Sequence, residues 1–131
     1  MNPTSEDIKD HFESSDVGLG TFVVDMFIGI MPETPDTCIC LIDSSGFKPE
    51  ARYNWERPGL QILVRDKIGN YKQCFTKIKD AVTALHGITN LTINNHIYKC
   101  IVAAHEPLFI GLDQNNRPMF SVNFEVQRTS V

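Results

Sequence analysis

The stretch "MFSVNFEVQ", residues 119–127, constrains the fold more than any other. Phe120, Val122, Phe124 and Val126 alternate with Ser121, Asn123 and Glu125. Side chains of a strand point to opposite faces in turn, so this period of two predicts a strand with its apolar set on a core and its polar set pointing away. Such a strand needs partners, and the chain offers several. In "LQILVRD", residues 60–66, Leu60, Ile62 and Val64 share one face, with Gln61, Leu63 and Arg65 on the other. "HIYKCIVAAHE", 96–106, reads as a further strand that Pro107 ends or places at an edge. A short strand "LTIN" precedes it, joined by a turn at Asn94 and Asn95. "TCICLID", 37–43, is apolar on both faces, as in a central strand covered on both sides or one covered by a neighbouring subunit. Residues 22–30 read as one more strand, stopped by Pro32 and Pro35. A turn is expected at 113–116, where Asn tolerates a positive φ.

Two segments carry helical spacing instead. In "NYKQCFTKIKDAVTALHG", residues 70–87, Tyr71, Phe75, Ile78, Val82 and Leu85 form an apolar stripe. Asn70 stands as the cap, Gly87 lies just past the end, and Lys72, Lys77, Lys79 and Asp80 face solvent. "PTSEDIKDHFES" reads as a first helix capped by Thr4 or Ser5, with Ile8 and Phe12 as its buried stripe. It is polar elsewhere, which places it on the surface, with Asp7 and Asp10 as exposed acids near its positive end. The order is helix, two strands, a long connection, strand, helix and three strands. Strands in runs point to an α+β fold: a twisted, largely antiparallel sheet with two helices packed on one face. A length of 131 residues fits one domain, 1–131, with a long loop at 44–59.

The charge balance narrows function. Twelve Lys and Arg against sixteen Asp and Glu give −4, which argues against a nucleic-acid partner. The first residues lack the basic and apolar regions of a signal peptide, and the longest apolar run, "FVVDMFIGIM", falls well short of the ~20 residues that span a bilayer. The expectation is a soluble protein of a reducing compartment with no membrane partner. No nucleophile elbow, zinc-protease, phosphate-loop or dinucleotide motif is present. Cys38, Cys40, Cys74 and Cys100 lack zinc-site spacing and read as small buried hydrophobes. His11 and His86 fall near helix ends, and His96 and His105 stand too far apart along one strand to share a metal. Hence no catalytic residue, cofactor or metal is expected, though a cysteine and histidine brought together by the fold remain open as an enzyme alternative.

What this leaves unexplained is "SSGFKPEARYNWERPG", residues 44–59. Connections of that length in a small domain are uncommon and often functional. Trp and Arg often anchor protein interfaces. Phe47, Lys48, Arg52, Tyr53, Trp55 and Arg57 are therefore candidate contact residues, against the simpler readings of local packing for Trp55 and of an Arg57 pair with Glu56 or Glu50. Asp113, Asn115 and Arg117 at the hairpin tip form a second candidate surface, against the reading of a solvated turn.

Several segments, in order, resemble the minor capsid or tail terminator family of long-tailed bacteriophages. They are "GLGTFVVDMFIGIMPETPDTCICLIDSSGF", "ERPGLQILVRDK", "YKQCFTKIKDAVTALHGITN" and "EPLFIGLDQNNRPMFSVNFEV", which together span about Gly18 to Val126. The most telling combination is "ERPGLQ" followed by the helix ending in "ALHG". Asn116 stands where the family's turn more often carries Gly. The resemblance implies a structural virion protein with no cofactor. It implies a ring, commonly of six copies, that caps the tail tube, stops its polymerisation and meets the head connector. Its place would be the head–tail junction, after assembly in the host cytoplasm. The alternatives are a head completion or neck protein and, from another class, a small cysteine-dependent enzyme.

Overall fold

The computed structural model describes residues 1–15, 17–50 and 54–130. Helix α1 (Thr4–Ser14) is followed by strands β1 (Met26–Ile28), β2 (Cys38–Ser44) and β3 (Gly59–Arg65), and then by helix α2 (Tyr71–Leu85). Strands β4 (Ile88–Ile93), β5 (His96–Ala103), β6 (Leu108–Leu112) and β7 (Pro118–Ser130) complete the chain. They form one sheet in the order β1-β2-β3-β7-β5-β4, with β6 also pairing to β7. Among the described strands only the β1–β2 pair is parallel. The fold is α+β, as the strand runs predict.

The long alternating strand is the axis of the sheet. Phe120, Val122, Phe124 and Val126 are all buried, and they stand beside Val64, Ile62 and Leu60 of β3 and Ile101 of β5. Ile39 and Leu41 of β2 extend the same apolar face. Both helices cover it: α1 through Ile8 and Phe12, α2 through Cys74, Ile78, Ala81 and Leu85. The opposite face carries Asn123 and Glu125 as expected, but Ser121 is buried there, accepting from Gln61 Nε2 at 3.2 Å. Cys40 is covered by the chain itself, its thiol donating to Ile30 O at 3.2 Å. No neighbouring subunit is needed to explain the two apolar faces of β2.

Several expectations need correction. The strand expected at 22–30 is only three residues long, because Thr21 O accepts from the N–H groups of Val24, Asp25 and Met26 and turns the chain first. The strand expected at 96–106 stops at Ala103. "LFIGL" forms a separate strand, β6, so four strands follow α2 rather than three. The buried face of α2 is rotated from the expected stripe: Tyr71 and Phe75 are exposed, while Cys74 and Ala81 go inside. Asn70 sits at the cap position, but its side chain donates to Asp66 rather than capping. Pro3, not Thr4 or Ser5, stands at the cap of α1. Asn94, Asn95 and Asn116 all take positive φ, so the two asparagine turns form where expected.

Candidate interface surfaces

The connection at 44–59 is not a free loop in its described part. Pairing of β2 with β3 continues beyond Ser44 and Gly59: Phe47 N donates to Arg57 O at 2.8 Å, and Glu50 N to Trp55 O at 3.0 Å. The fit is close enough that a Cβ on Gly46 would meet Arg57 O at 2.1 Å, and only glycine fits there. The result is a hairpin arm. Phe47 and Lys48 are exposed on it, while Trp55 and Arg57 are half-buried. Arg57 Nε is buried with no hydrogen-bond partner. Glu56 is taken by Arg128, at 2.7 Å, rather than by Arg57. Arg52 and Tyr53 lie outside the described residues.

The second expected surface, the β6–β7 tip, is internally tied rather than a solvated turn. Asp113 Oδ1 accepts from the N–H groups of Asn115 and Arg117, both at 2.9 Å, and Arg117 Nε reaches Asp113 Oδ2 at 2.8 Å. Burial pushes the Asp113 carboxyl up, but the Arg117 N–H, the guanidinium and the Asn115 N–H outweigh it and hold it below the usual carboxylate range. The buried Arg117 also donates to Glu33 O at 2.7 Å and reaches Asp36 Oδ1 at 3.1 Å. Asn115 bonds Glu33 as well. Arg65 clamps the same segment from β3, donating to the carbonyls of Pro32, Pro35 and Asp36 at 2.6, 2.7 and 3.1 Å. Of the three tip residues, only Asn115 is exposed; Arg117 spends its charge internally. The arm leaves the Ser44–Gly59 end of the paired strands, and the tip stands by the Cys38–Arg65–Met119 end, about 20 Å away along the strands. The two surfaces are thus at opposite ends of the sheet and do not form one site.

Two further features escaped the sequence reading. Asp7 is fully buried rather than exposed. Its Oδ2 accepts from His96 Nδ1 at 2.8 Å, Tyr98 OH at 2.5 Å and Arg128 NH1 at 3.3 Å, and Asn94 Nδ2 donates to Oδ1 at 3.1 Å. Ser5 N and Oγ donate to Asp43 at 3.0 and 2.6 Å. These bonds tie α1 to β2, β5 and β7, so it is not a surface helix. Burial, and next the carboxylate of Asp7, push the Tyr98 phenol well above its usual range.

The other missed feature is apolar. Strand β6 exposes Leu108, Ile110 and Leu112, the last at 59%. Tyr71 and Phe75 of α2 and Phe109 of β6 pack around the buried Phe120, with ring centroids 5.1–5.6 Å from it. The signal was a five-residue run without a charge, "LFIGL", hidden between Pro107 and the tip.

The histidines all have structural partners. His86 and His105 accept backbone N–H groups, from Ala103 at 3.0 Å and Asn123 at 3.2 Å, and His11 lies 3.3 Å from Ser15 Oγ. Burial raises the Cys38 and Cys40 thiols and pushes Cys74 up to about 12, away from the thiolate a nucleophile needs. Among the described residues no group of three or more His, Cys, Asp or Glu is placed to hold a metal ion. Nor is any helix among them long and apolar enough to cross a membrane.

The bacteriophage tail terminator protein family matches residues 15–130, and the chain belongs to it. It is therefore a structural protein of the phage virion, working through contacts with other virion components. No curated protein matches the chain.

Proposed function

We propose that the chain closes into a ring, commonly of six copies, on the last ring of the tail tube. There it stops tube polymerisation and presents a surface to the head connector. The match to the tail terminator family over residues 15–130 carries this reading. The geometry supports a division of labour. The arm, with Phe47, Lys48, Trp55 and Arg57, and the tip, with Asp113, Asn115 and Arg117, lie at opposite ends of the strands. A ring held between tube and connector needs two such ends, leaving the edges of the sheet for copy-to-copy contact.

Electron microscopy of particles from the phage that encodes this chain, with its gene removed, tests the reading. Overlong tails separate from filled heads are the expected result. Tails of normal length beside unattached heads would move the protein to the neck, and normal joined particles would overturn both assignments.

A further inference from the structure

We propose that the first turn of α1 is the positioning device of the arm: it grips both strands at the arm's root, so that Phe47 and Lys48 are presented in one direction only while α1 is docked. The inference rests on the reading of the arm as a contact surface and names what holds it.

The outgoing strand is held by the helix's own need for a cap. The first N–H groups of a helix have no partner inside it. Pro3 stands at the cap position of α1 and offers no side-chain acceptor. Asp43 of β2 fills that place from 38 positions away: its Oδ1 accepts from Ser5 N at 3.0 Å and its Oδ2 from Ser5 Oγ at 2.6 Å. A carboxylate there also meets the positive end of the helix dipole. Ser5 is fully buried, and the arm leaves the paired strands one residue beyond Asp43, at Ser44.

The returning strand is held through Arg128. Glu56 and Arg128 exchange backbone hydrogen bonds at 2.9 and 3.0 Å, and Arg128 Nε donates to Glu56 Oε2 at 2.7 Å. NH1 of the same guanidinium donates to Asn2 O at 3.1 Å and to Asp7 Oδ2 at 3.3 Å. The guanidinium is a rigid planar fork, and here it is buried, so its two branches tie Glu56 to α1 in a fixed geometry. Ser5 and Asp7 stand on one helical turn. That turn therefore reaches Asp43 on one side of the root and, through Arg128, Glu56 on the other.

Beyond the root the described arm holds itself together, Phe47 N donating to Arg57 O and Glu50 N to Trp55 O. Such pairing within the arm does not fix its angle to the sheet; the root does. A contact element already held in its bound direction loses less freedom on assembly than one that swings. Coupling of this kind is mutual. Whatever loosens the first turn of α1 loosens the arm, and whatever distorts the arm loosens α1.

Amide exchange of the full chain, read residue by residue as protection factors by NMR, tests both directions against Val122 in the central strand. Ser5→Ala removes one donor to Asp43 and should lower protection at Phe47 and Glu50 about 10-fold relative to Val122. Gly46→Ala forces a Cβ onto Arg57 O and should lower protection at Ile8 relative to Val122. Ile78→Val, a core change on α2, should lower all four in step. An unchanged ratio of Phe47 to Val122 in Ser5→Ala, or of Ile8 to Val122 in Gly46→Ala, would overturn the proposal. The arm's role in contact is tested apart, by electron microscopy of phage carrying Phe47→Asp. Overlong or unjoined tails from a chain that melts like the parent are expected. Normal, joined tails would overturn the arm as a contact surface, and this proposal with it, whatever the exchange shows.

Discussion

The α1 end and the β6 edge are opposites. At the first, polar groups sit inside: Asp7, His96 and Arg128 are buried together and satisfy one another. At the second, apolar groups sit outside: Leu108, Ile110 and Leu112 face solvent near the partly exposed rings of Tyr71, Phe75 and Phe109. A buried ion network that closes on itself serves the fold and leaves nothing for a partner. Apolar side chains left exposed on an edge strand add little to the isolated chain and mark a surface suited to contact. The comparison separates residues that make the protein from residues that make an assembly.

Substitutions can break each half of that comparison. The largest effect is expected from Asp7→Ala, which leaves the buried guanidinium of Arg128 without one of its carboxylates. It should lower unfolding free energy by about 3–5 kcal/mol, read as a shift in urea midpoint. Tyr98→Phe removes one donor to Asp7 and the acceptor for Arg128 NH1 at 3.1 Å, and should cost about 1–3 kcal/mol in the same assay.

Acid should act locally at the tip. The Asp113 carboxyl is depressed in the folded chain, so its contribution is present above the ordinary carboxylate pKa and is lost as pH falls through the depressed value. The protection factor of the Arg117 amide, its exchange rate relative to an unstructured amide at the same pH, should therefore fall at low pH, and Asp113→Asn should remove that dependence. The smallest effect on stability should come from Ile110→Glu, within about 0.5 kcal/mol, because the side chain is exposed. If Ile110→Glu unfolds the chain, or Asp7→Ala does not weaken it, the division between the two regions is wrong.

The sequence made the sheet legible where one face is buried and the other wet. The alternation of Phe120, Val122, Phe124 and Val126 and the asparagine turns at 94–95 and 116 all stand where expected. It misled where local pattern and tertiary setting part. Acidic residues in a first helical turn are usually solvated, yet Asp7 meets Arg128, 121 positions away, and no local spacing reveals that pairing. The helical stripe from Tyr71 to Leu85 assumed that every aromatic goes inside, whereas Tyr71 lies against Phe109 of β6 and Phe75 against Phe120, both partly exposed. Aromatic content drew attention to 44–59 as a loop. Backbone pairing of Phe47 with Arg57 and Glu50 with Trp55 makes an arm of it instead, a long-range register that composition does not carry.

The most direct test of the account is tail length in phage carrying Ile110→Glu in this chain, measured by electron microscopy beside a melting curve of the purified variant. A variant that melts like the parent and yields overlong, headless tails is the predicted result. A variant that melts like the parent and yields normal, joined tails would contradict the reading of this exposed apolar strand as a contact surface of the assembly.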